Sequence, residues 1–440
     1  MAVSLPEPGM CNVGRAQEVI TPPLGTCLAG YYHVRKGETI RDDLHVRAVV
    51  IESGGSRVAL ASCDLICVTG ETANAAKALI EQETGIPPTH ILVGATHTHT
   101  GPVVRKGAIG DVDQVWLDAL PRKIADAVKR AAEGLTPATL RVGALDIHGY
   151  SFNRLFRMTD GTEVFGRRGG DAQPIDVAGP IDPQLQTLSA VDADGKLLAL
   201  VVNFALHVDV IGGGSANFIS ADWPGEMANN IAAVYGDDCV AMLVQGTCGD
   251  INHCIHTPTN LPRGGPAKAV SLGRALAGAA MAAMERAEPM GDVPLEAMVE
   301  VVPIPYYTRE DKMRAEVDAL RAKEKPSVAE YYTIKRFDAW THDGEIADVP
   351  VQVMRIGEMG LVGLPAEIFA AIGLEIKKWS PMESTFVAEL ANARVSTYVP
   401  TTDQAERGAY GAKPILSRWL CADGGRRMAD AAMVMLHKLR

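Results

Sequence analysis

Short apolar runs alternate with polar, glycine-containing segments along the chain, and this pattern predicts alternating strands and helices. Arg57–Ser62 and Ile91–Ala95 have the apolar and β-branched character of buried strands. Between them, Glu71–Thr84 has the apolar spacing of an amphipathic helix, and Gly85 is a typical residue to end one. The order predicts a strand–helix–strand crossover with parallel strands.

Two further regions extend the pattern. Thr187–Val191 and Leu197–Asn203 flank a polar turn and predict an antiparallel hairpin. Gly360–Leu364, Ala366–Trp379 and Glu383–Leu390 then repeat the strand–helix–strand order. The predicted fold class is therefore α/β, with mixed, largely buried sheets and flanking helices.

Composition and charge narrow the class of protein. The chain has 440 residues, of which 47% are hydrophobic, and it shows no linker or internal repeat, so we expect a single domain over residues 1–440. A net charge of -11 disfavours nucleic acid and anionic membranes as partners. The first residues lack the pattern of a signal peptide, and no apolar run has membrane-spanning length. We expect a cytoplasmic protein without a membrane anchor, acting on a small molecule; homo-oligomerisation is left open.

The eight cysteines are scattered and form no Cys-x-x-Cys pair, which favours free thiols in the core over disulfides. One segment, Cys248–His256, places two thiols and two imidazoles close together. A structural zinc site there is the less favoured interpretation, because the spacing is not that of a known zinc finger.

The chemistry is concentrated in a His-x-His turn. His97 and His99 follow the apolar run Ile91–Ala95 and precede Gly101 and Pro102, so they lie at the carboxyl end of a predicted strand. Residues two apart on extended backbone face the same side, so both rings should address one cavity.

Three later segments also end predicted strands with reactive side chains. They contain His207 with Asp209, Glu367, and Tyr398. If these strands share one sheet edge, their side chains converge. Nitrogen and oxygen donors of this kind suit a single Zn²⁺, which lowers the pKa of water and polarises carbonyl groups.

Five ordered motifs resemble those of the neutral/alkaline ceramidases, a family of metal-dependent amide hydrolases. The motifs are His-Thr-His-x-Gly-Pro at 97–102, Asn-Phe-Ala-x-His at 203–207, Gln-x-x-x-Gly-Asp at 245–250, Leu-Pro-x-Glu at 364–367, and the pair Tyr398 and Tyr410. The resemblance covers the family's amino-terminal catalytic domain. It implies a ceramidase-like fold and one zinc ion bound by His97, His207, Glu367 and Tyr398.

The resemblance also implies roles in catalysis. His99, Arg154 and Tyr410 would line the substrate pocket and steady the amide oxygen. Preorganised donors of this kind stabilise a developing oxyanion.

Two departures from the family bear on the substrate. The family has a serine where this chain has Asn252. The family's carboxyl-terminal immunoglobulin-like domain has no counterpart after the last motif, where the sequence predicts a helix over 426–440. We therefore expect a small soluble amide, lactam, ester or lactone, with a true ceramidase as the alternative. Asn252 and Asp222 are the predicted substrate contacts.

The sequence also offers candidates for the general base. Asp209, two residues after His207, is the leading candidate to take the proton of a metal-activated water. Asp222 and Glu226 are the next candidates for this role or for a second metal, although Asp222 also fits a helix cap. The alternative to an enzyme is a non-catalytic scaffold protein that binds a metal.

Overall fold

The computed structural model describes residues 9–166, 173–212, 214–254 and 264–440. Its larger sheet contains eight strands. They are β1 (Met10–Val19), β2 (His45–Ser53), β3 (Ser56–Cys63), β4 (Ile91–Ala95), β5 (Thr136–Asp146), β6 (Gln184–Asp192), β7 (Leu197–Phe204) and β8 (Val240–Gln245). Their order across the sheet is β8-β7-β6-β5-β1-β2-β3-β4. The edge pairs β3–β4 and β7–β8 are parallel and the rest are antiparallel, so the predicted mixed sheet is confirmed.

A second sheet contains four strands. They are β9 (Leu295–Pro305), β10 (Ile346–Ile356), β11 (Met359–Gly363) and β12 (Ser384–Ala388), in that order. The pairs β9–β10 and β10–β11 are antiparallel, whereas β11–β12 is parallel. Each sheet therefore carries parallel strands joined by a helical crossover.

The helices of the described residues connect and cover these sheets. They are α1 (Gly70–Thr84), α2 (Gln114–Glu133), α3 (Asp222–Tyr235), α4 (Pro266–Glu285), α5 (Asp311–Arg321), α6 (Val328–Asp338), α7 (Ala370–Trp379), α8 (Thr402–Glu406) and α9 (Gly424–Leu439), with a 3-10 turn at Pro88–His90. Shorter strands pair in the loops: Cys27–Leu28, Arg35–Lys36, Thr39–Ile40, Phe152–Asn153, Leu155–Met158, Glu163–Phe165, Pro174–Val177, Phe218–Ile219, Ile251–Asn252, Glu367–Ile368 and Tyr398–Val399.

The two sheets pack face to face, with helices on both outer faces. Leu60 and Val201 of the larger sheet share a core cluster with Leu361 and Phe386 of the smaller sheet. The neighbouring residue Ala61 points the other way, into a cluster with helices α1 and α2. Since alternate residues of a strand face opposite sides, strands buried on both faces need the continuous apolar runs seen in the sequence.

The predicted crossovers are present, with one wrong boundary. Helix α1 ends at Thr84 and is capped by Gly85, which adopts a positive φ of 73°. The helix predicted over 366–379 begins at Ala370 instead. Glu367–Ile368 forms a short strand parallel to Tyr398–Val399, because the backbone N–H groups of Glu367 and Phe369 donate to the carbonyls of Thr397 and Val399.

Candidate functional site

The candidate site lies where the carboxyl ends of strands from both sheets meet. Strand β4 leads into His97, β7 leads into His207, and β11 leads into Glu367. The backbone N–H of Asn392 donates to the Val93 carbonyl over 2.7 Å and ties the ends of the two sheets together. This is the place where open α/β sheets bind ligands.

His97 occupies a strained turn rather than extended backbone. Its φ is 76°, in the left-handed region that side chains other than glycine rarely adopt. Its Nδ1 lies 2.7 Å from the Ile66 carbonyl oxygen, which fixes the ring. The expectation that His97 and His99 share a face of an extended strand was therefore wrong in its reason, because a turn makes the rings converge. Such strain is often found at functional sites.

The three predicted imidazoles meet in the interior. His97 Nε2 is 3.2 Å from His207 Nε2 and 3.3 Å from His99 Nε2. All three residues are buried. Their ligand atoms lie within 4.8 Å of one another, so this group could hold a metal ion.

Glu367 adds an oxygen to the same group. Its Oε2 lies 3.4 Å from His97 Nε2 and has no hydrogen-bond partner among the described residues, while Oε1 accepts from Arg394 over 3.2 Å. Burial raises the pKa of Glu367, but His97 and Arg394 outweigh it and hold this pKa well below its usual range. Glu367 therefore presents a charged, unshared oxygen to the histidines.

The spacing of these donors fits a zinc-sized ion. Zinc–nitrogen bonds of about 2.0–2.1 Å in a tetrahedron place neighbouring ligand atoms about 3.3–3.4 Å apart. The separations of 3.2, 3.3 and 3.4 Å around His97 Nε2 agree with that geometry. In the neutral ring, the hydrogen on Nδ1 of His97 faces a carbonyl and Nε2 keeps its lone pair, as metal-binding histidines do.

Arg154 and two tyrosines form a second wall. An Nη2–H of Arg154 donates to the Gly249 carbonyl over 2.5 Å and lies 3.3 Å from the Tyr398 hydroxyl oxygen. The guanidinium carbon of Arg154 is 5.3 Å from the centre of the Tyr410 ring. Tyr398 pairs in register with Glu367, so both side chains project to one face of their two-stranded ribbon.

Asp209 lies beside the histidines and is held by His253. Asp209 Oδ1 is 3.1 Å from Nδ1 of His253. Burial raises the pKa of Asp209, but the adjacent His207 and His253 hold it well below its usual range. Because β7 ends at Phe204, His207 and Asp209 lie in a loop beyond this strand.

One cavity of about 260 Å³ gathers eight of the ten predicted site residues. They are His97, His99, Arg154, His207, Asp209, Glu367, Tyr398 and Tyr410.

Asn252 and Asp222 do not belong to the described lining of this cavity. The Asn252 Oδ1 accepts from the backbone N–H of His253. The two carboxylate oxygens of Asp222 accept from the backbone N–H groups of Ile211 and Trp223, which fixes the start of α3. These contacts favour structural roles, so substrate binding by either residue stays a prediction.

Glu226 and Cys248 each contact an ionisable side chain that their local sequence does not reveal. Glu226, a reserve candidate for the general base, pairs with Arg41 over 2.6 Å. The Cys248 thiol, which the structural zinc site at 248–256 would require, lies 3.0 Å from a Glu389 oxygen, whereas His256 lies outside the described residues. All eight cysteines are free, as predicted.

Sequence reasoning missed Glu389 and a group of three arginines. Glu389 is buried and accepts from the backbone N–H groups of Ile368 and Cys248. The arginines, which line the cavity near Glu367, are Arg105, Arg336 and Arg394. No local spacing marks any of the four, because their partners are distant in sequence.

Solved structures share this fold. The neutral ceramidase structure from Pseudomonas aeruginosa matches with a TM-score of 0.73 and 19% identity, covering 98% of this chain and 75% of that one. The chain has a neutral ceramidase-like fold. A structure of a ceramidase complexed with C2 matches with a TM-score of 0.70 and 18% identity, covering 98% of this chain and 74% of that one.

Sequence comparison supports the same resemblance over a shorter stretch. The neutral ceramidase of Pseudomonas aeruginosa is 27% identical over 126 residues, which cover 27% of this chain and 17% of that protein. This match therefore spans about a sixth of the relative's length. No family model matches the chain. Within the part of the chain that the structure describes, no helix is both long and apolar enough to cross a bilayer.

Proposed function

We propose that this ceramidase-like protein is a zinc-dependent hydrolase that cleaves an amide (including lactam) or an ester (including lactone) bond of a small soluble substrate. The observation that carries the proposal is the convergence of three imidazole nitrogens and the unshared Glu367 oxygen at the spacing of zinc ligands. A zinc ion bound there would activate a water molecule and polarise the substrate carbonyl.

We infer that His97, His207, Glu367 and Tyr398 are the metal ligands. The pairing of Glu367 with Tyr398 in adjacent short strands supports the fourth assignment. His99 is also within ligand spacing of His97. His99→Ala and Tyr398→Phe separate the two assignments, because the variant that removes a ligand should lower zinc content and affinity while the other should mainly lower turnover.

The remaining cavity residues have complementary tasks. Arg154 and Tyr410 offer N–H and O–H donors to a carbonyl oxygen that gains negative charge during attack, an interaction worth roughly 3 kcal/mol per donor. We infer that Asp209 accepts the proton of the attacking water, and the contact between its carboxylate and His253 supports this role. The same carboxylate would return a proton to the leaving group.

The size of the cavity favours a small substrate. Its volume of about 260 Å³ lies just below the range of about 300–1,000 Å³ common for ligand pockets. The fold, by contrast, favours the alternative of a true ceramidase acting on N-acyl sphingoid lipids. A small amide and a ceramide must therefore be compared directly.

Metal analysis and a substrate screen test the proposal. Protein purified without a histidine tag should contain about one zinc per chain, and His207→Ala should lose both the metal and the activity. The zinc-loaded protein should hydrolyse members of a panel of small amides, lactams, esters and lactones faster than a ceramide. Brisk ceramide turnover would establish the lipid alternative, and bound zinc without any turnover would favour the scaffold.

A further inference from the structure

Three arginines from distant parts of the chain line the cavity, close enough for the charges of two of them to act on the third. Arg105 follows the His-x-His turn, Arg336 lies in α6, and Arg394 follows β12. We call Arg105, Arg336 and Arg394 the arginine wall. It lies beside the candidate metal ligands, because Arg394 donates to Glu367 over 3.2 Å.

Two of these guanidinium groups have no carboxylate partner among the described residues. Arg336 donates to the backbone carbonyl of Leu416. Arg105 lies over the Trp419 ring, with its guanidinium carbon 5.5 Å from the ring centre. The Nε of Arg394 is buried and has no partner among the described residues, although its Nη2 meets Glu367. The wall therefore keeps unused hydrogen-bond donors.

The charge of the cavity is unusual for an acidic protein. Four arginines line it, the wall and Arg154, but its only described carboxylates are Asp209 and Glu367. This leaves an excess of positive charge before any cation binds, in a chain whose net charge is -11. Burial, and then the nearby charge of Arg394, lowers the pKa of Arg105 to about 10.

We propose that the substrate carries an anionic group, a carboxylate or a phosphate, which the arginine wall binds while the scissile bond lies at the metal ligands. The proposal rests on the hydrolase function proposed above and names its substrate class. An anion relieves the repulsion among the arginines, and planar guanidinium groups bind carboxylate and phosphate oxygens in pairs. The neutral polar head of a ceramide offers no such charge.

Binding to the metal-free full-length protein tests the proposal separately from catalysis. Chelated protein is titrated calorimetrically with benzoate, phenyl phosphate and benzamide, which share a ring and differ in charge. We expect at least one anion to bind tenfold or more tightly than benzamide, and the tighter anion identifies the substrate group. Arg105→Gln should raise the Kd of that anion about tenfold to a hundredfold, which is the usual effect of losing a hydrogen bond to a charged group.

Lys106→Gln is the matched control, because it removes the same charge from the same loop at an exposed residue outside the described cavity lining. Equal binding of benzamide and the anions, or equal effects of Arg105→Gln and Lys106→Gln, would overturn the proposal. Should Arg105→Gln fail to fold by circular dichroism, Arg336→Gln takes its place with the same expected loss.

The zinc-loaded protein separates this proposal from the hydrolase function. Hydrolysis of neutral amides or esters without preference for anionic analogues would support the hydrolase function and refute anion binding by the arginine wall. Anion binding that depends on Arg105, with no hydrolysis of any amide or ester, would support anion binding by the arginine wall and refute the proposed hydrolase function.

Discussion

Glu389 is expected to hold the metal ligands in place without touching a metal. Its Oε2 accepts from the backbone N–H of Ile368 over 2.7 Å and from that of Cys248 over 3.1 Å. Its Oε1 lies 3.0 Å from the Cys248 thiol. Ile368 follows Glu367, and the Cys248 carbonyl lies 3.4 Å from Nδ1 of His207. One buried carboxylate therefore fixes the backbone next to two proposed ligands.

The structure gives the size of the effect. Glu389→Ala leaves two buried backbone N–H groups and a thiol without an acceptor, and each unsatisfied N–H costs about 1–3 kcal/mol. With the small cavity left by the lost side chain, we expect a loss of about 3–5 kcal/mol in the free energy of unfolding. Glu389→Gln keeps one acceptor oxygen, so its free energy of unfolding should fall by less than about 2 kcal/mol. Outer-shell changes of this kind lower metal affinity about tenfold to a hundredfold.

Urea unfolding of metal-free protein measures the first effect, and competition with a zinc chelator measures the second. Both variants should be compared with Glu375→Gln, which changes a charge outside the cavity lining. If Glu389→Ala unfolds within about 1 kcal/mol of the wild type, the backbone contacts of this carboxylate do not have the strength we assign to them.

Three further predictions test the surroundings of the site. Gly30 has a φ of 103°, and a side chain there would place a Cβ 2.5 Å from Nδ1 of His99. Gly30→Ala should therefore displace this ring and lower kcat/KM at least tenfold. Unchanged kinetics would refute the contact. His253→Gln should lower kcat about tenfold with zinc content unchanged, because Asp209 loses the ring that orients it; a loss confined to KM or to zinc binding would contradict this role. Burial lowers the pKa of Lys77 from 10.5 to about 8, so the unfolded chain binds more protons between these values and wild-type stability should rise with pH across this window, by up to about 3 kcal/mol. Urea unfolding of Lys77→Met should show that rise removed, and a persistent rise would assign it to other groups.

Much of the architecture followed from local patterns. The crossover through α1 and the hairpin of β6 and β7 have the predicted boundaries within a few residues, because apolar periodicity and turn residues act over short distances. The start of α7 was misplaced because Glu367–Ile368 is drawn into a strand by Tyr398–Val399, a partner that no local pattern reveals.

The amino-acid sequence by itself determined which strands end in histidine, carboxylate and tyrosine side chains, and hence the kind of chemistry to expect. Only the tertiary structure decided that the ends of two sheets meet, that His97 turns through a positive φ, and that Glu389 and the arginine wall surround the site. Periodicity records which face of an element is buried, whereas these contacts join residues far apart in the chain. Their positions depend on the packing of whole sheets, which no short segment encodes.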